Sequence, residues 1–330
     1  MRRAVDGRSL IRRLALVLAL ALLSTLAPVV RAGAAGDYSA HLDALWLFEQ
    51  PAASEARFRD EAARHAFGTR EAAEATTQIA RALGLQRRFG DADRTLDAIQ
   101  PMLARLPARV RVRYRLERGR RDNSSGNPSR AFTWFEQALG ACADDTLPGA
   151  DYYRVDALHM LAIAAPPPRR LAWNLQALEA ANASGNARTR GWRASLLHNL
   201  GWTMHERGDD AAALAYWQDA LAAREAAHDP ARTRIARWTV ARGLRAVGRL
   251  DEAEAIQRQL ADEFAAGNAP DAYVFEELAE IAIARGDRAG AKTWAAKAIA
   301  LLANDADFRA TEPARLARLH ALARSGTDGH

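Results

Sequence analysis

Eight histidines and one cysteine are the residues of this 330-residue sequence best suited to metal binding or nucleophilic chemistry. Of the histidines, His198 and His205 are seven residues apart, which places both on one face of a helix. Two imidazoles without a third cysteine or carboxylate ligand make a poor metal site, so we expect no metal. The alternative is that both are polar residues on a solvent-facing helix. We expect Cys142, which follows an apolar run, to be a small, half-buried apolar residue.

The sequence contains no HExxH motif, no nucleophile elbow and no phosphate-binding glycine loop. Each of these motifs places a reactive group at a fixed distance from the groups that activate it. Their absence leaves no constellation able to catalyse a reaction, so we expect a protein that is not an enzyme and has no cofactor.

The formal charge of +6 comes mainly from the N-terminus. The first 34 residues hold six arginines and one acidic residue, which leaves 40 basic and 39 acidic residues in the rest of the chain. A nearly neutral body lacks the broad basic surface that binding to phosphate groups requires. We therefore expect no nucleic-acid partner.

The N-terminal segment has the three-part pattern of a secretory signal peptide. A basic region over residues 1–13 precedes an apolar run over 14–26, and Ala32-Gly33-Ala34 offers small residues for cleavage. We expect residues 1–34 to be removed and the mature, periplasmic or extracellular protein to begin near Ala35. The alternative is that the segment is retained as a membrane anchor, which would be the chain's one contact with a membrane. Its apolar stretch ends at Val30, at the short end for crossing a bilayer.

Turn signals recur at regular spacing through the rest of the chain. They are Gly90-Asp91, Gly126-Asn127-Pro128, Gly208-Asp209, Gly248 and Gly286-Asp287. The glycines are 36, 82, 40 and 38 residues apart, and the longest gap is two periods with prolines at its middle. Glycine suits the left-handed residue after a helix, and Asp or Asn can cap the next helix. Such a period predicts a solenoid of seven helical hairpins, centred near Pro51, Gly90, Gly126, Pro167, Gly208, Gly248 and Gly286.

Small residues recur at fixed distances from these turns. In the unit around Gly208, Gly201 lies before the turn, and Ala213, Trp217 and Ala220 follow it. Small side chains let the first (A) and second (B) helix of a hairpin approach closely, and the aromatic residue fills the gap beside the next hairpin. We expect Gly201 to tolerate alanine but not leucine.

These glycine, alanine and aromatic positions resemble the tetratricopeptide repeat, and residues 194–227 match it best. The resemblance covers most of residues 38–310 and implies an all-α fold, a right-handed α-solenoid of helix-turn-helix repeats. Its usual unit is shorter, near 34 residues, and we expect the extra length in the B helices. A HEAT-like array is the alternative on period alone. We predict a repeat domain over 37–310, a capping helix within 311–324 and a disordered tail over 325–330.

The same register sorts the tryptophans. Trp134, Trp173, Trp217 and Trp294 lie at the packing position of B helices and are expected in the core. The resemblance places Trp202 and Trp238 on A helices facing a concave groove, where they could form one aromatic floor beside Arg242 and Arg245. The alternative is that either tryptophan packs against a neighbouring helix. The predicted partner-binding residues are Arg113, Arg120, Asn123, His198, Trp202, His205, Trp238, Arg242, Arg245, Tyr273, Glu276 and Glu280.

The resemblance implies a non-catalytic scaffold or adaptor that binds a peptide or protein in its groove, and the N-terminal segment leads us to expect it in the cell envelope. A basic and aromatic groove suits an acidic peptide. The alternative is a periplasmic sensory module that signals through a separate membrane partner, because exported helical repeats also occur in such systems.

Overall fold

The computed structural model describes residues 38–144 and 146–324, and within these ranges the regular structure is helical. The α-helices, in chain order from α1 to α17, are Tyr38–Ala44, Pro51–Ala63, Arg70–Leu85, Phe89–Ile99, Ala108–Ser124, Pro128–Ala141, Ala150–Ala164, Pro167–Ala183, Ala187–Arg190, Arg193–Glu206, Asp210–Ala226, Pro230–Ala246, Leu250–Ala266, Ala272–Arg285, Arg288–Leu302, Ala306–Thr311 and Pro313–Arg324. A short 3₁₀ helix, Gln100–Met102, follows α4. The predicted all-α class is confirmed, whereas the predicted signal peptide and tail lie outside the described residues.

The chain divides into two compact units within α10, the first ending at Leu196 and the second beginning at Leu197. In the first unit, consecutive helices from α2 to α8 pack against one another as antiparallel hairpins, and α3 also packs on α5. Its core contains Phe58, Leu96 and Phe135, which are fully buried. In the second unit, α11 to α15 pack in the same consecutive manner, and α17 packs on α15.

Four of the predicted turn glycines have the left-handed backbone that the sequence pattern predicts. The φ angles of Gly126, Gly208, Gly248 and Gly286 lie between 77° and 88°. Gly90 differs, because it lies in the first turn of α4. The left-handed residue of that hairpin is Arg87, with φ of 60°, a conformation that a non-glycine residue adopts only at a cost.

Aspartates cap the helices after two of these turns. The carboxylate of Asp209 accepts a hydrogen bond from the backbone N–H of Ala212, and Asp287 does the same for Gly290. Asn127 and Arg249 occupy the equivalent positions without a capping side chain. The cap expected from Asn127 is therefore absent. The extra length of the best-matched repeat lies partly in its B helix, because α11 runs uninterrupted for 17 residues.

Close contact between the helices of one hairpin depends on glycine. A Cβ at Gly201 in α10 would lie 2.2 Å from Nε1 of Trp217 in α11. A Cβ at Gly119 in α5 would lie 2.3 Å from the ring of Phe135 in α6. The expectation that Gly201 tolerates alanine is therefore wrong, because the indole already fills the space of the first side-chain carbon.

The last helix continues the packing of the second unit. In α17, Leu319 is buried, and Leu316 and Leu322 pack against the same apolar cluster as Leu302 of α15. Among the described residues, no helix is both long and apolar enough to cross a membrane.

Candidate functional site

A polar pocket opens on the A helices of the first unit, and we call it the arginine pocket. Its lining comes from α1, the segment after it, α3, α5, α7 and α9. The charged and aromatic side chains that define it are Asp43, Trp46, Phe48, Arg81, Arg113, Glu117, Arg120, Tyr152, Tyr153, Asp156 and Arg188. Two of the predicted groove residues, Arg113 and Arg120, thus line one pocket.

One wall of the arginine pocket is aromatic. The rings of Trp46 and Phe48 stack with centroids 4.6 Å apart and planes 7° from parallel. The guanidinium of Arg81 lies 5.5 Å from the Trp46 ring and 5.8 Å from the Phe48 ring, within the range of cation–π attraction. The indole N–H of Trp46 donates to Gln78 Oε1 over 3.2 Å, which fixes the orientation of this wall.

Two arginines of the pocket have partners within the fold. Arg113 donates from Nε to the Tyr153 hydroxyl at 3.0 Å and from Nη2 to the Ser39 hydroxyl at 2.7 Å. Arg120 pairs with Glu117 at 2.6 Å and with Asp156. Burial disfavours the charge of Arg120, but these two carboxylates outweigh it and raise the pKa of the guanidinium. Both arginines stay charged and are held in place.

Arg81 is placed differently. Its nearest carboxylate oxygen, Oε1 of Glu117, is 3.9 Å from Nη1, which is too long for a hydrogen bond. Within the described part of the chain it donates no hydrogen bond, although only 13% of its side chain is exposed. Burial and the neighbouring charge of Arg120 lower the pKa of Arg81. The guanidinium therefore stands in the pocket with its donors free.

Two short helices meet at the pocket from distant parts of the first unit. Arg188 of α9 pairs with Asp43 of α1 at 2.5 Å, and its guanidinium lies 3.5 Å from the centre of the Tyr152 ring. This pair links residues 145 positions apart in sequence. It fixes the two ends of the pocket lining against each other.

The second unit carries ion pairs along its A helices, and we call them the Arg–Glu ladder. Glu277 of α14 pairs with Arg242 and Arg245 of α12. On the other side of α14, Glu276 pairs with Arg315 and Glu280 pairs with Arg318, both in α17. The arginines and glutamates predicted to contact a partner are thus already paired with other residues of the fold.

The predicted aromatic floor of the second unit is only partly present. Arg242 lies between the two tryptophans, 5.4 Å from the ring of Trp202 and 5.8 Å from that of Trp238. However, Trp202 is 8% exposed and packs on Trp217 with ring centroids 5.1 Å apart. Trp238 is half-buried and donates its indole N–H to the carbonyl of Tyr273. Trp202 therefore packs in the core, which is the alternative that the sequence left open.

The two histidines face different surroundings. His198 is 7% exposed, and its Nε2 accepts a hydrogen bond from the Trp202 indole at 3.0 Å. Burial, with a smaller effect from Arg224, lowers the pKa of His198 to about 3, so its imidazole is neutral. His205 is half-buried and contacts Asp210. Among the described residues, no three His, Cys, Asp or Glu side chains are grouped to hold a metal ion.

The remaining predicted residues are more open. Tyr273 is 39% exposed, and Arg315 lies over its ring at 5.0 Å. Asn123 is half-buried near the end of α5. Cys142 is half-buried, and burial raises the pKa of its thiol to about 12, as suits a small apolar residue.

The sequence did not single out Trp46, Phe48 and Arg81. Arg81 precedes Arg120 by one repeat period, 39 residues, so the register could have identified it. Trp46 and Phe48 lie between α1 and α2, outside any helix register, and no sequence signal marks them.

Comparison with known proteins agrees with this architecture. Residues 193–231 match the family model described as tetratricopeptide repeat. No curated protein matches the sequence.

Structural similarity extends over most of the chain. The apo form of RapI is similar with a TM-score of 0.66 at 8% identity, over 88% of this chain and 80% of that one. The STAND protein PH0952 from Pyrococcus horikoshii, which has a tetratricopeptide repeat sensor, gives 0.64 at 14% identity, over 87% of this chain and 45% of that one. A Rap protein complexed with Competence and Sporulation Factor gives 0.57 at 13% identity, over 86% and 78%.

The helical hairpins, their glycine–aromatic joints and the matched model agree on one fold. Residues 193–231 are a tetratricopeptide repeat, and the chain has the all-helical fold of tetratricopeptide-repeat proteins.

Proposed function

We propose that this protein is a non-catalytic interaction scaffold of the cell envelope that binds a peptide or protein partner on its A helices. The arginine pocket is the observation that carries the proposal. The pocket combines a stacked aromatic wall with Arg81, whose guanidinium N–H groups donate no hydrogen bond among the described residues. This combination suits recognition of a polar peptide group.

The similar structures support a peptide or protein as the partner class. One of them is a Rap protein in complex with Competence and Sporulation Factor, and the fold it shares with this chain is generally an interaction scaffold. The matched model describes such a repeat and indicates no catalytic family. The envelope location is proposed from the N-terminal sequence, and N-terminal sequencing of the envelope-extracted protein tests it.

A sensory role is the second candidate. PH0952, whose repeats are described as a sensor, has a similar fold over 87% of this chain. In such a role the bound partner would be a signal, and the output would pass through a separate membrane protein.

Affinity capture tests the scaffold proposal. The immobilised full chain is incubated with envelope extract, and the same is done with Phe48→Ala and Phe67→Ala. Phe67 is the matched control, because it is an exposed aromatic, 74% accessible, outside the pocket. We expect Phe48→Ala to reduce capture of the main partner at least tenfold and Phe67→Ala to leave it unchanged. Equal capture by all three proteins would place recognition elsewhere.

A further inference from the structure

We propose that α1 is a strap that closes the arginine pocket, and that a partner enters the pocket only after α1 has moved away from the A helices. This inference rests on the proposed function and concerns the regulation of access to that same site. It involves residues of the first unit alone.

The contacts of α1 differ from those of the hairpin helices. Its Ser39 hydroxyl accepts a hydrogen bond from Nη2 of Arg113 in α5 at 2.7 Å and lies 3.4 Å from the hydroxyl of Tyr153 in α7. Its Asp43 pairs with Arg188 in α9. A hairpin helix packs along its neighbours in the repeat, whereas this seven-residue helix reaches across three successive elements of the first unit.

The arginine pocket is nearly closed while α1 lies in this position. Its free volume is about 30 Å³, enough for roughly two water molecules, whereas a site that encloses a small ligand measures roughly 300 Å³ or more. Asp43 of α1 is part of the lining. Moving α1 away removes this side chain from the pocket, and it releases Arg113 from Ser39 and Arg188 from Asp43. Access for a peptide side chain therefore depends on α1.

The attachment of α1 contains little apolar packing. Leu42 is fully buried and is the only buried apolar side chain among the seven residues of this helix. Its other contacts include those of Tyr38 and His41 with Glu61, at 3.0 Å and 3.1 Å. A helix of this length is not stable alone in water, and elements with few buried apolar contacts open at low free energy. We therefore expect α1 to open while the hairpins stay folded.

The chain directly after α1 is fixed, so α1 can move without the aromatic wall. The hydroxyl of Ser54 in α2 accepts from the backbone N–H of Leu47 at 2.7 Å and donates to the Leu47 carbonyl at 2.9 Å. Trp46 packs edge-on against Phe58, with ring centroids 4.9 Å apart. The motion therefore turns about Leu45, which lies between α1 and these contacts, and it leaves the Trp46 ring in place.

Hydrogen exchange on the full native chain tests whether α1 opens. Mass spectrometry follows the backbone amides of residues 42–46 and those of α3 and α5. We expect the first group to exchange at least tenfold faster, because local opening of α1 does not require the hairpins to unfold. Equally slow exchange in the three segments would show that α1 opens only with the hairpins and would overturn the inference.

A peptide that copies α1 tests whether the strap occupies a binding surface. It spans residues 36–45, carries fluorescein and is added to the full chain, and binding is measured by fluorescence polarisation. Such a peptide binds only the open form, so its apparent affinity rises with the open fraction. Leu42→Ala weakens the strap of the chain but not the peptide. We expect this variant to bind the peptide more than about tenfold more tightly than the native chain does, as the loss of a buried leucine side chain predicts.

Two further variants control this comparison. Leu260 in α13 is as fully buried as Leu42 but lies in the second unit, so Leu260→Ala should bind the peptide as the native chain does. Ser39→Ala replaces Leu42→Ala if that variant does not fold. It removes the acceptor of Arg113 without adding bulk, and it should raise the affinity for the peptide about fivefold, as the loss of one hydrogen bond predicts.

Equal binding of the peptide to the native chain and both strap variants, or no binding to any chain, would overturn the inference. An excess of the peptide should also reduce capture of the main partner from envelope extract. Undiminished capture would overturn the inference and leave the proposed function in place. No capture by any chain would reject the proposed function, and peptide binding would still decide whether α1 closes the pocket.

Discussion

The indole of Trp217 occupies the space in which a side chain at Gly201 would lie. A Cβ at Gly201 would be 2.2 Å from the indole nitrogen, and one at Gly243 in α12 would be 2.9 Å from its ring. Trp217 thus packs between two A helices of the second unit. The indole N–H also donates to the carbonyl of His198 at 3.1 Å, which fixes the ring in this position.

Gly201→Ala tests this packing. We expect the added methyl group to displace the indole and to lower the free energy of unfolding by about 1–3 kcal/mol, as overpacking does. The matched control is Gly84→Ala, because no atom lies within 4 Å of a Cβ at that helical position. There alanine should be neutral or stabilising by up to about 1 kcal/mol. Urea unfolding measures both, and equal effects would contradict the assigned contact.

The Arg–Glu ladder predicts a second stability effect. Glu277 is 1% exposed and faces both Arg242 and Arg245. Glu277→Gln leaves these partly buried arginines without their counter-charge and should lower the unfolding free energy by about 2–3 kcal/mol. Glu252→Gln, which breaks the exposed pair with Arg249, should leave the unfolding free energy nearly unchanged, because solvent screens this pair. If the two variants melted alike, the ladder would not stabilise the second unit.

A third prediction concerns acid. The pKa of His198 is lowered to about 3 by burial, with a further effect of Arg224, whereas an unfolded histidine titrates near 6.5. As the pH falls, His198 therefore takes up a proton in the unfolded chain before it does so in the folded protein. Its contribution to the free energy of unfolding is complete above pH 6.5 and is lost as the pH falls toward 3. Between pH 6 and pH 5 this loss is about 1 kcal/mol.

His198→Gln isolates this contribution, because glutamine offers an acceptor to the Trp202 indole and does not titrate. Urea unfolding of the native chain and the variant at both pH values gives the difference. The stability of the variant should fall by about 1 kcal/mol less than that of the native chain over this interval. Parallel losses would mean that His198 is protonated in the folded protein.

Much of the fold is predictable from the sequence because turns and close contacts demand particular residues. A left-handed turn favours glycine, which identified Gly126, Gly208, Gly248 and Gly286. Arg87 takes the same backbone conformation without any sequence signature, so the glycine pattern predicts this turn three residues late, at Gly90.

The site is harder to predict from the sequence. The repeat register assigns a residue to one face of its helix but does not show which residues of other helices pack against that face. Arg242 and Glu277 are 35 residues apart, so the repeat that places both on A helices also brings them together as a pair. The register leaves Trp202 either in an exposed groove or packed on a neighbouring helix, and the structure shows that Gly201 brings Trp217 close enough to cover its ring. Trp46 and Phe48, which form the aromatic wall, lie in the loop between α1 and α2, where the helical repeat pattern does not apply.

Site-specific photocrosslinking tests the central claim, that a partner binds on the A-helix pocket of the first unit. A benzophenone amino acid replaces Phe48 in one variant and Phe67 in the other, and both variants are irradiated in cells. The account predicts that the Phe48 variant yields a discrete crosslinked partner and that the Phe67 variant yields at most a tenth as much of it. Equal yields from both positions, or a partner seen only from Phe67, would contradict the account.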